Sequence, residues 1–224
     1  MIVLGGALPA EIVPLSWLIG LWEGTGIVDY RVGDESRTLE FGQRVSFTHD
    51  GSPHLDYRSS TWLLGGPDAE AAAILEGDDP DSGDRTDSAG EATPVPHVTE
   101  VGYWRLSRPA SPGDSGPGLL PGIGPKPFTS ADSVETLRNA NDAFDIEVSL
   151  VHPTGVSELY IGEVKGPRIE LATDAVVRTA SAKEYAAATR IYGLVEGHLL
   201  WAWDIAALGQ DLRTHASGRL ARVE

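Results

Sequence analysis

The chain contains no cysteine, and this absence removes several kinds of site at once. Without a thiol there can be no disulfide, iron–sulfur cluster, thiolate nucleophile or cysteine zinc site, so a bound metal would need histidine or carboxylate ligands. Long apolar runs are also missing, and residues 1–10 lack the basic start of a signal peptide. We therefore expect no transmembrane helix and no signal peptide, and a cytoplasmic location.

Basic residues are scarce as well. The 224 residues include 17 Lys and Arg against 33 Asp and Glu, which gives a formal net charge of −16. Such an acidic chain is unsuited to binding nucleic acid or an anionic membrane through its overall charge, so small ligands or proteins are the expected partners. The length and a hydrophobic content of 41% suit one globular domain with a buried core.

Two segments have the composition of disordered insertions. Residues 67–92 carry nine acidic side chains against one basic, a net charge of −8. Such a segment cannot bury enough apolar surface to offset the entropy lost on ordering, so it is expected to be a mobile surface loop. The alternative is a tail that docks a partner or attracts cations. Residues 109–133 are rich in proline and glycine at their start and are predicted to form a second insertion.

The remaining sequence shows short strands separated by turn residues. The candidate strands are residues 45–49, 53–64, 98–106, 143–151, 156–164, 168–172, 175–179, 187–194, 199–205 and 213–223. Glycine or proline lies at the turns near residues 152–155, 165–168 and 195–198, which predicts consecutive antiparallel hairpins. Short helices are predicted at residues 14–21 and 181–188. An antiparallel set of this size favours a closed barrel or a sandwich.

One histidine, His215, lies in the last predicted strand. A lone strand histidine is ordinarily structural or exposed, but one imidazole completes a metal site when a porphyrin brings the other four ligands. Strand periodicity leaves the direction of His215 open, and a bulge near Gly218 is one way in which its parity could change. The sequence contains no HxxxH helix and no GxSxG elbow, so hydrolase chemistry has no support.

A GxWxGxG motif, formed by Gly20, Trp22, Gly24 and Gly26, marks the entry to the first strand. It lacks the Lys-Ser/Thr ending of a phosphate-binding loop. We expect Trp22 to close the barrel floor, with Arg190 or Arg222 stacked on its indole.

Together with this motif, five further segments occur in an order and spacing similar to those of the nitrobindins. The six are GLWEGTG (20–26), FTHDG (47–51), EVGYWR (100–105), HPTG (152–155), SAKE (181–184) and LGQDLRTH (208–215). The resemblance covers residues 14–224 as one domain, interrupted by the two insertions. It implies an up-and-down ten-stranded β-barrel, related in shape to lipocalins and fatty-acid-binding proteins. It also implies haem b as cofactor and, as in bacterial members, isomerisation of peroxynitrite to nitrate.

The resemblance also implies roles for three residues. His215 is expected to be the axial iron ligand and catalytic residue, Lys183 to meet the haem edge and its propionates, and His97 to line the distal side. Residues 30–38, YRVGDESRT, replace the Tyr-Pro-Thr-Ile stretch usual in the family, so a threonine contact to haem is not carried over. Ile205 stands where a methionine is common.

The expected cofactor state is one ferric haem per subunit, with peroxynitrite and nitric oxide as small ligands and a homodimer left open. A dry pocket that excludes tyrosine side chains would suppress nitration by escaping radicals. Two other functions stay open. One is a lipocalin-like or fatty-acid-binding-like carrier of an apolar ligand without catalysis, and the other is a nitric oxide or peroxynitrite sensor that signals through the acidic loop.

Overall fold

The computed structural model describes residues 8–32, 35–64, 95–207 and 213–223, which form ten strands and two short helices. The N-terminal 3-10 helix spans Ala10–Leu18 and helix α1 spans Ala131–Glu135. The strands are β1 (Gly20–Val32), β2 (Glu35–Thr48), β3 (Leu55–Leu63), β4 (Val95–Leu106), β5 (Phe144–His152), β6 (Val156–Lys165), β7 (Arg168–Arg178), β8 (Tyr185–Val195), β9 (His198–Ala207) and β10 (Arg213–Val223).

The strands close into a barrel. Each strand pairs antiparallel with its neighbour in sequence, and β10 pairs with β1 to complete the ring. The turn chemistry explains the order. In the hairpin between β8 and β9, for example, Glu196 and Gly197 have φ values of 51° and 77°, the backbone that a two-residue hairpin turn requires. The predicted ten-stranded antiparallel barrel is confirmed.

Several predicted boundaries were wrong. Strand β2 begins at Glu35 rather than residue 45, and β7 is one strand instead of the predicted 168–172 and 175–179. Leu159 and Tyr160 pair with Ala175 and Thr173, so Asp174 is an extra residue of β7 between the two predicted segments. The helix predicted for residues 181–188 is absent, because its alanine-rich end pairs with β9 as part of β8. Tertiary pairing outweighs the helix propensity of alanine there.

The 3-10 helix closes one end of the barrel, which we call the closed end. Its buried apolar side chains pack with Trp22, whose Nε1 donates a hydrogen bond of 2.7 Å to the carbonyl of Leu18. The Arg222 guanidinium lies 4.3 Å from the centre of the Trp22 ring, as predicted, whereas Arg190 stacks elsewhere. The helix is 3-10 and begins earlier than predicted, with Pro14 inside it. This end of the barrel is filled by buried apolar side chains.

Two glycines let aromatic rings pack against bare backbone in the middle of the barrel. Gly26 of β1 pairs with Gly218 of β10. A Cβ on Gly26 would lie 2.4 Å from Phe41, and one on Gly218 would lie 2.6 Å from Trp201. Neither distance is tolerable, so Gly26 of the GxWxGxG motif and Gly218 of β10 together admit these rings to the barrel interior.

The two predicted insertions differ in what the structure describes. Residues 67–92 lie outside the described ranges. Residues 109–133 contain turns and end in α1, and Arg108 beside them donates to Asp114 at 2.7 Å through both Nη1 and Nη2. The proposal of disordered insertions within a single domain at 14–224 stays a prediction. No helix within the described ranges is long and apolar enough to cross a membrane.

Candidate functional site

A cavity occupies the half of the barrel away from the closed end, toward what we call the mouth. Thr61, His97 and Val98 form its more exposed rim. Its remaining lining is mainly apolar and aromatic, with a smaller polar group. The lining residues are Val28, Phe41, Gln43, Val45, Tyr57, Ser59, Glu100, Arg190, Tyr192, Leu199, Trp201, Trp203, His215 and Ala216. A mostly apolar cavity with a few convergent polar side chains is the usual form of a cofactor or ligand site.

A β-bulge directs His215 into this cavity. Thr214 and Ala216 pair with the adjacent residues Asp204 and Trp203, which leaves His215 as the extra residue of β10. A bulge places consecutive side chains on one face, and both His215 and Ala216 line the cavity. The bulge is therefore at His215 itself. Gly218, where the sequence suggested it, pairs regularly with Trp201.

The surroundings of His215 suit a neutral imidazole. Burial lowers the pKa of His215 below its usual value, while a hydrogen bond with the backbone of Asp29 acts in the opposite direction. The Trp203 ring packs edge-to-face against the imidazole, with ring centres 5.8 Å apart. A neutral imidazole whose ring is held by a backbone contact is the form of histidine that ligates metals. The residues present therefore fit an axial haem ligand within an apolar cavity.

The other predicted site residues lie further out. His97 lines the cavity but is exposed at its rim. Lys183 is exposed in the loop between β7 and β8 at the mouth, where its carbonyl accepts a hydrogen bond from Arg178, and it is not among the residues lining the described cavity. Ile205 is partly buried against the core. The structure thus groups His97 with His215 and leaves Lys183 outside that group.

Sequence reasoning missed a buried charged cluster, of which Glu100 and Arg190 line the cavity and form its charged wall. The Arg190 guanidinium forms a two-pronged ion pair with Glu100, through Nη1 to Oε1 at 2.8 Å and Nη2 to Oε2 at 2.9 Å. Its Nη2 also reaches Glu158 Oε2 at 3.4 Å, and its Nε donates to the Tyr160 hydroxyl at 3.0 Å. His152 Nε2 lies 2.6 Å from Glu158 Oε2. All five of these side chains are buried.

Arg190 keeps both carboxyl groups ionised. Burial alone would raise the pKa of Glu100, but the adjacent guanidinium brings it below its usual value. Burial likewise opposes ionisation of Glu158, yet the hydrogen bond with His152 and the charge of Arg190 lower its pKa to about 2. The Arg190 guanidinium also lies 4.5 Å from the centre of the Trp203 ring, so one indole contacts both His215 and the cluster.

Tyrosines surround these carboxylates, contrary to the expectation of a cavity without them. Tyr57 donates to Glu100 Oε1 at 2.5 Å, and Tyr160 and Tyr185 both donate to Glu158 Oε1. Tyr57 and Tyr192 line the cavity directly. Burial raises the pKa of both hydroxyls, so they are neutral phenols at physiological pH.

Glu100, His152 and Glu158 also bring three metal-binding atoms within 4.8 Å of one another. However, the Arg190 guanidinium already donates to both carboxylates. A cation there would face that positive charge, so the arrangement suits an internal ion pair better than a metal centre. A sequence signal for the cluster did exist, because Arg190 lies between Ala188 and Tyr192 at the inward parity of a half-buried strand.

Comparison with known proteins agrees with this geometry. Residues 11–222 match the family described as the THAP4-like, heme-binding beta-barrel domain. A relative from Leifsonia xyli subsp. xyli, named peroxynitrite isomerase, is 60% identical over 224 residues and covers 100% of both chains. A relative with the same name from Clavibacter michiganensis subsp. michiganensis is 59% identical over the same length.

A solved structure shares the fold. The crystal structure of Rv2717c from M. tuberculosis superposes with a TM-score of 0.60 at 23% identity, covering 98% of this chain and 100% of that one. The match over nearly the whole chain and the high identity to full-length relatives lead to one conclusion. The chain belongs to the THAP4-like haem-binding β-barrel family, and the nitrobindin resemblance predicted from its sequence is confirmed.

Proposed function

We propose that the protein binds haem b through His215 and isomerises peroxynitrite to nitrate. The observation that carries the proposal is the bulge that places His215, with its lowered pKa, in the wall of an apolar cavity. The proposal is supported by the name peroxynitrite isomerase carried by relatives 60% and 59% identical to this chain. It includes one ferric haem per chain and nitric oxide as a second small ligand. A homodimer and a cytoplasmic location stay predictions.

Different residues of the cavity would hold the cofactor, exclude water and border the entering anion. His215 holds the cofactor, and Trp203 with the backbone of Asp29 fixes the orientation of its ring. When bound, ferric haem would supply a Lewis-acidic iron, the chemistry needed to weaken the O–O bond of peroxynitrite. The apolar wall formed by residues such as Phe41 and Leu199 keeps water from the reacting fragments, which favours their recombination as nitrate. His97 at the rim would border the entering anion.

The carrier alternative has less support in this cavity. A buried guanidinium is the natural partner for the carboxylate of a fatty acid. Here Arg190 already donates two hydrogen bonds to Glu100 and contacts Glu158, so its positive charge is matched within the protein. A lipid carboxylate would therefore have to displace Glu100, at the cost of leaving that buried carboxylate without its partner.

Haem titration of the parent, His215→Ala and His198→Ala tests the ligand. His198 is a matched control because it lies at the start of β9, at the closed end, beside Arg219. We expect a saturable histidine-type ferric spectrum at one haem per chain in the parent and in His198→Ala, and its loss in His215→Ala. An unchanged spectrum in His215→Ala would remove His215 from the site.

Stopped-flow kinetics test the reaction itself. The haem-loaded parent should accelerate peroxynitrite decay and raise the nitrate yield. Neither effect should depend on added fatty acid. Decay no faster than in buffer would contradict the isomerase proposal. Tight fatty-acid binding without haem uptake would instead favour the carrier.

A further inference from the structure

Tyr57 is a buried phenol placed against an ionised carboxylate in the cavity wall. Only 4% of its surface is exposed, and its hydroxyl donates to Glu100 Oε1 over 2.5 Å. The same carboxylate is held by two nitrogens of Arg190 at 2.8 and 2.9 Å. Tyr57 therefore has a fixed proton acceptor and faces the space in which the reactive species would be formed.

This arrangement changes the redox chemistry of the phenol. A tyrosine gives up an electron readily only if its proton leaves with it, because the oxidised phenol is a very strong acid. A carboxylate at hydrogen-bond distance accepts that proton without any movement of heavy atoms. Even a weakly basic carboxylate can accept this proton, since the oxidised phenol is a far stronger acid than a carboxyl group.

The resting state of the pair is suited to the same step. Burial, with the nearby charge of Glu100, raises the pKa of Tyr57 well above its usual value, so the phenol keeps its proton until it is oxidised. Arg190 keeps Glu100 ionised and ready to accept. Tyr57 thus holds both the electron and the proton that it would give up, and Glu100 is already in place to accept the proton.

We propose that Tyr57 and Glu100 form a one-electron donor site that reduces nitrogen dioxide radicals released in the cavity to nitrite. The inference rests on the proposed function, because homolysis of the O–O bond of peroxynitrite is the source of the radical. In the step, Tyr57 loses one electron to nitrogen dioxide, which becomes nitrite. Its hydroxyl proton passes to Glu100, which leaves a neutral tyrosyl radical and a protonated carboxyl group.

Two fates then follow for the tyrosyl radical. A small reductant such as ascorbate can supply one electron while Glu100 returns the proton, which restores the pair. Without such a reductant, a second nitrogen dioxide radical couples to the ring, and the displaced ring hydrogen ends on the phenolic oxygen as 3-nitrotyrosine. Nitration at Tyr57 is therefore a lasting record of the first step.

Two other tyrosines provide internal comparisons. Tyr192 lines the same cavity and is also 4% exposed, but its hydroxyl accepts a hydrogen bond from Arg190 Nη1 at 3.4 Å. Within the described residues its hydroxyl makes no hydrogen bond to a carboxylate, and the adjacent cation opposes loss of an electron. Tyr103 is 55% exposed on the outside of the barrel, where it packs against His54. Exposure favours Tyr103. A carboxylate partner favours Tyr57, Tyr160 and Tyr185, and of these three Tyr57 is the one among the residues lining the described cavity.

The experiment uses the full-length protein, haem-free, with nitrogen dioxide made by pulse radiolysis of nitrite solutions. Tyrosyl absorption is followed in the parent, Tyr57→Phe and Tyr192→Phe, and 3-nitrotyrosine is then located by peptide mass spectrometry. We expect most of the tyrosyl signal and the cavity nitration to be lost in Tyr57→Phe and kept in Tyr192→Phe. If Tyr57→Phe gave as much tyrosyl radical as the parent, or if nitration were confined to Tyr103, the proposal would be overturned.

The role of Glu100 has its own measurement. Because the proton moves with the electron, formation of the tyrosyl radical in the parent should be slower in deuterated water. Equal rates in the two solvents would overturn the proton transfer, and this measurement needs no variant that disturbs the buried ion pair. Addition of ascorbate should shorten the life of the radical and reduce nitration at Tyr57.

A parallel arm separates this inference from the proposed function. Haem-loaded protein is treated with peroxynitrite, and nitrate yield and nitration sites are measured in the same samples. Excess nitrate with no oxidation of Tyr57 in either arm overturns the donor site alone. No excess nitrate overturns the isomerase, while oxidation of Tyr57 in the haem-free arm still supports the donor site.

Discussion

The closed end of the barrel and the charged wall of its cavity both hide large side chains from water, but they hold them by different interactions. At the closed end, Leu15, Leu18 and Phe47 are completely buried among other apolar groups. In the charged cluster, Glu158 and Arg190 are also buried, but they are held by an ion pair and hydrogen bonds.

The two arrangements contribute unequally to stability. Burying apolar surface stabilises a fold by roughly 25 cal/mol per Å², so burial of the apolar side chains at the closed end is itself stabilising. A buried ion pair, in contrast, adds little net stability because desolvation offsets most of its attraction. Removing one partner of such a pair is nevertheless strongly destabilising, because the other charge is left buried and unpaired.

The largest effect is expected at Arg190. Replacing Arg190 with Met leaves two buried carboxylates without their guanidinium, and we expect the free energy of unfolding to fall by about 3 to 5 kcal/mol. Urea unfolding of the haem-free protein at neutral pH measures the loss. If Arg190→Met were as stable as the parent, the cluster would have to be far more hydrated than its burial indicates.

A compensated variant shows whether charge is the cause. In the triple variant Arg190→Met, Glu100→Gln and Glu158→Gln, the buried charges are gone together. We expect it to recover most of the stability that Arg190→Met loses, since the penalty comes from unpaired charge rather than from lost volume. A triple variant no more stable than Arg190→Met would assign the loss to packing.

The closed end should lose stability through packing rather than through charge. Leu18→Ala opens a cavity among fully buried side chains, and we expect a loss of about 3 kcal/mol with no change in the haem spectrum. Urea unfolding and haem titration of the same preparation measure both. A changed haem spectrum would mean that the two buried regions are coupled.

Acid should weaken the cavity cluster selectively. Since the pKa of Glu158 is about 2 in the fold against 4.5 as its ordinary value, its contribution is full above pH 4.5 and is lost as the pH falls toward 2. By linkage this difference of about 2.5 in pKa amounts to about 3 kcal/mol. Unfolding between these pH values should lose that dependence in Glu158→Gln and keep it in Glu170→Gln, whose side chain is exposed on β7.

Features of the fold and site that depend on neighbouring residues could be predicted from the sequence, whereas those that depend on pairing between distant residues could not. Alternation and turn residues predict the antiparallel strands because each acts over a few neighbouring positions, whereas the family resemblance favours a ten-stranded barrel over a sandwich. The helix predicted for residues 181–188 fails because pairing with β9 decides that segment. The direction of His215 depends on a bulge, and a bulge leaves no periodic signal. Its site therefore required the family resemblance.

The charged wall shows the limit more sharply. Glu100, Glu158 and Arg190 lie on three different strands, and only closure of the barrel brings them together. The inward parity of Arg190 signals a buried charge without identifying its partners. Because those partners are distant in sequence, a single chain cannot reveal the ion pairs before the strand order is known.

The smallest effect is expected at Lys183, proposed to meet the haem propionates. Its side chain is exposed at the mouth, and an exposed ion pair is worth about 0.2 to 1 kcal/mol, so Lys183→Ala should weaken haem binding by roughly two- to fivefold. High salt should remove the difference because exposed charges are screened.

The control is Lys165→Ala, which removes an exposed lysine at the closed end and should bind haem as the parent does. If Lys183→Ala were also indistinguishable from the parent at low salt, the propionates would need another partner. A hundredfold loss would instead require Lys183 to become buried against the cofactor, and that would extend the charged wall to the mouth of the barrel.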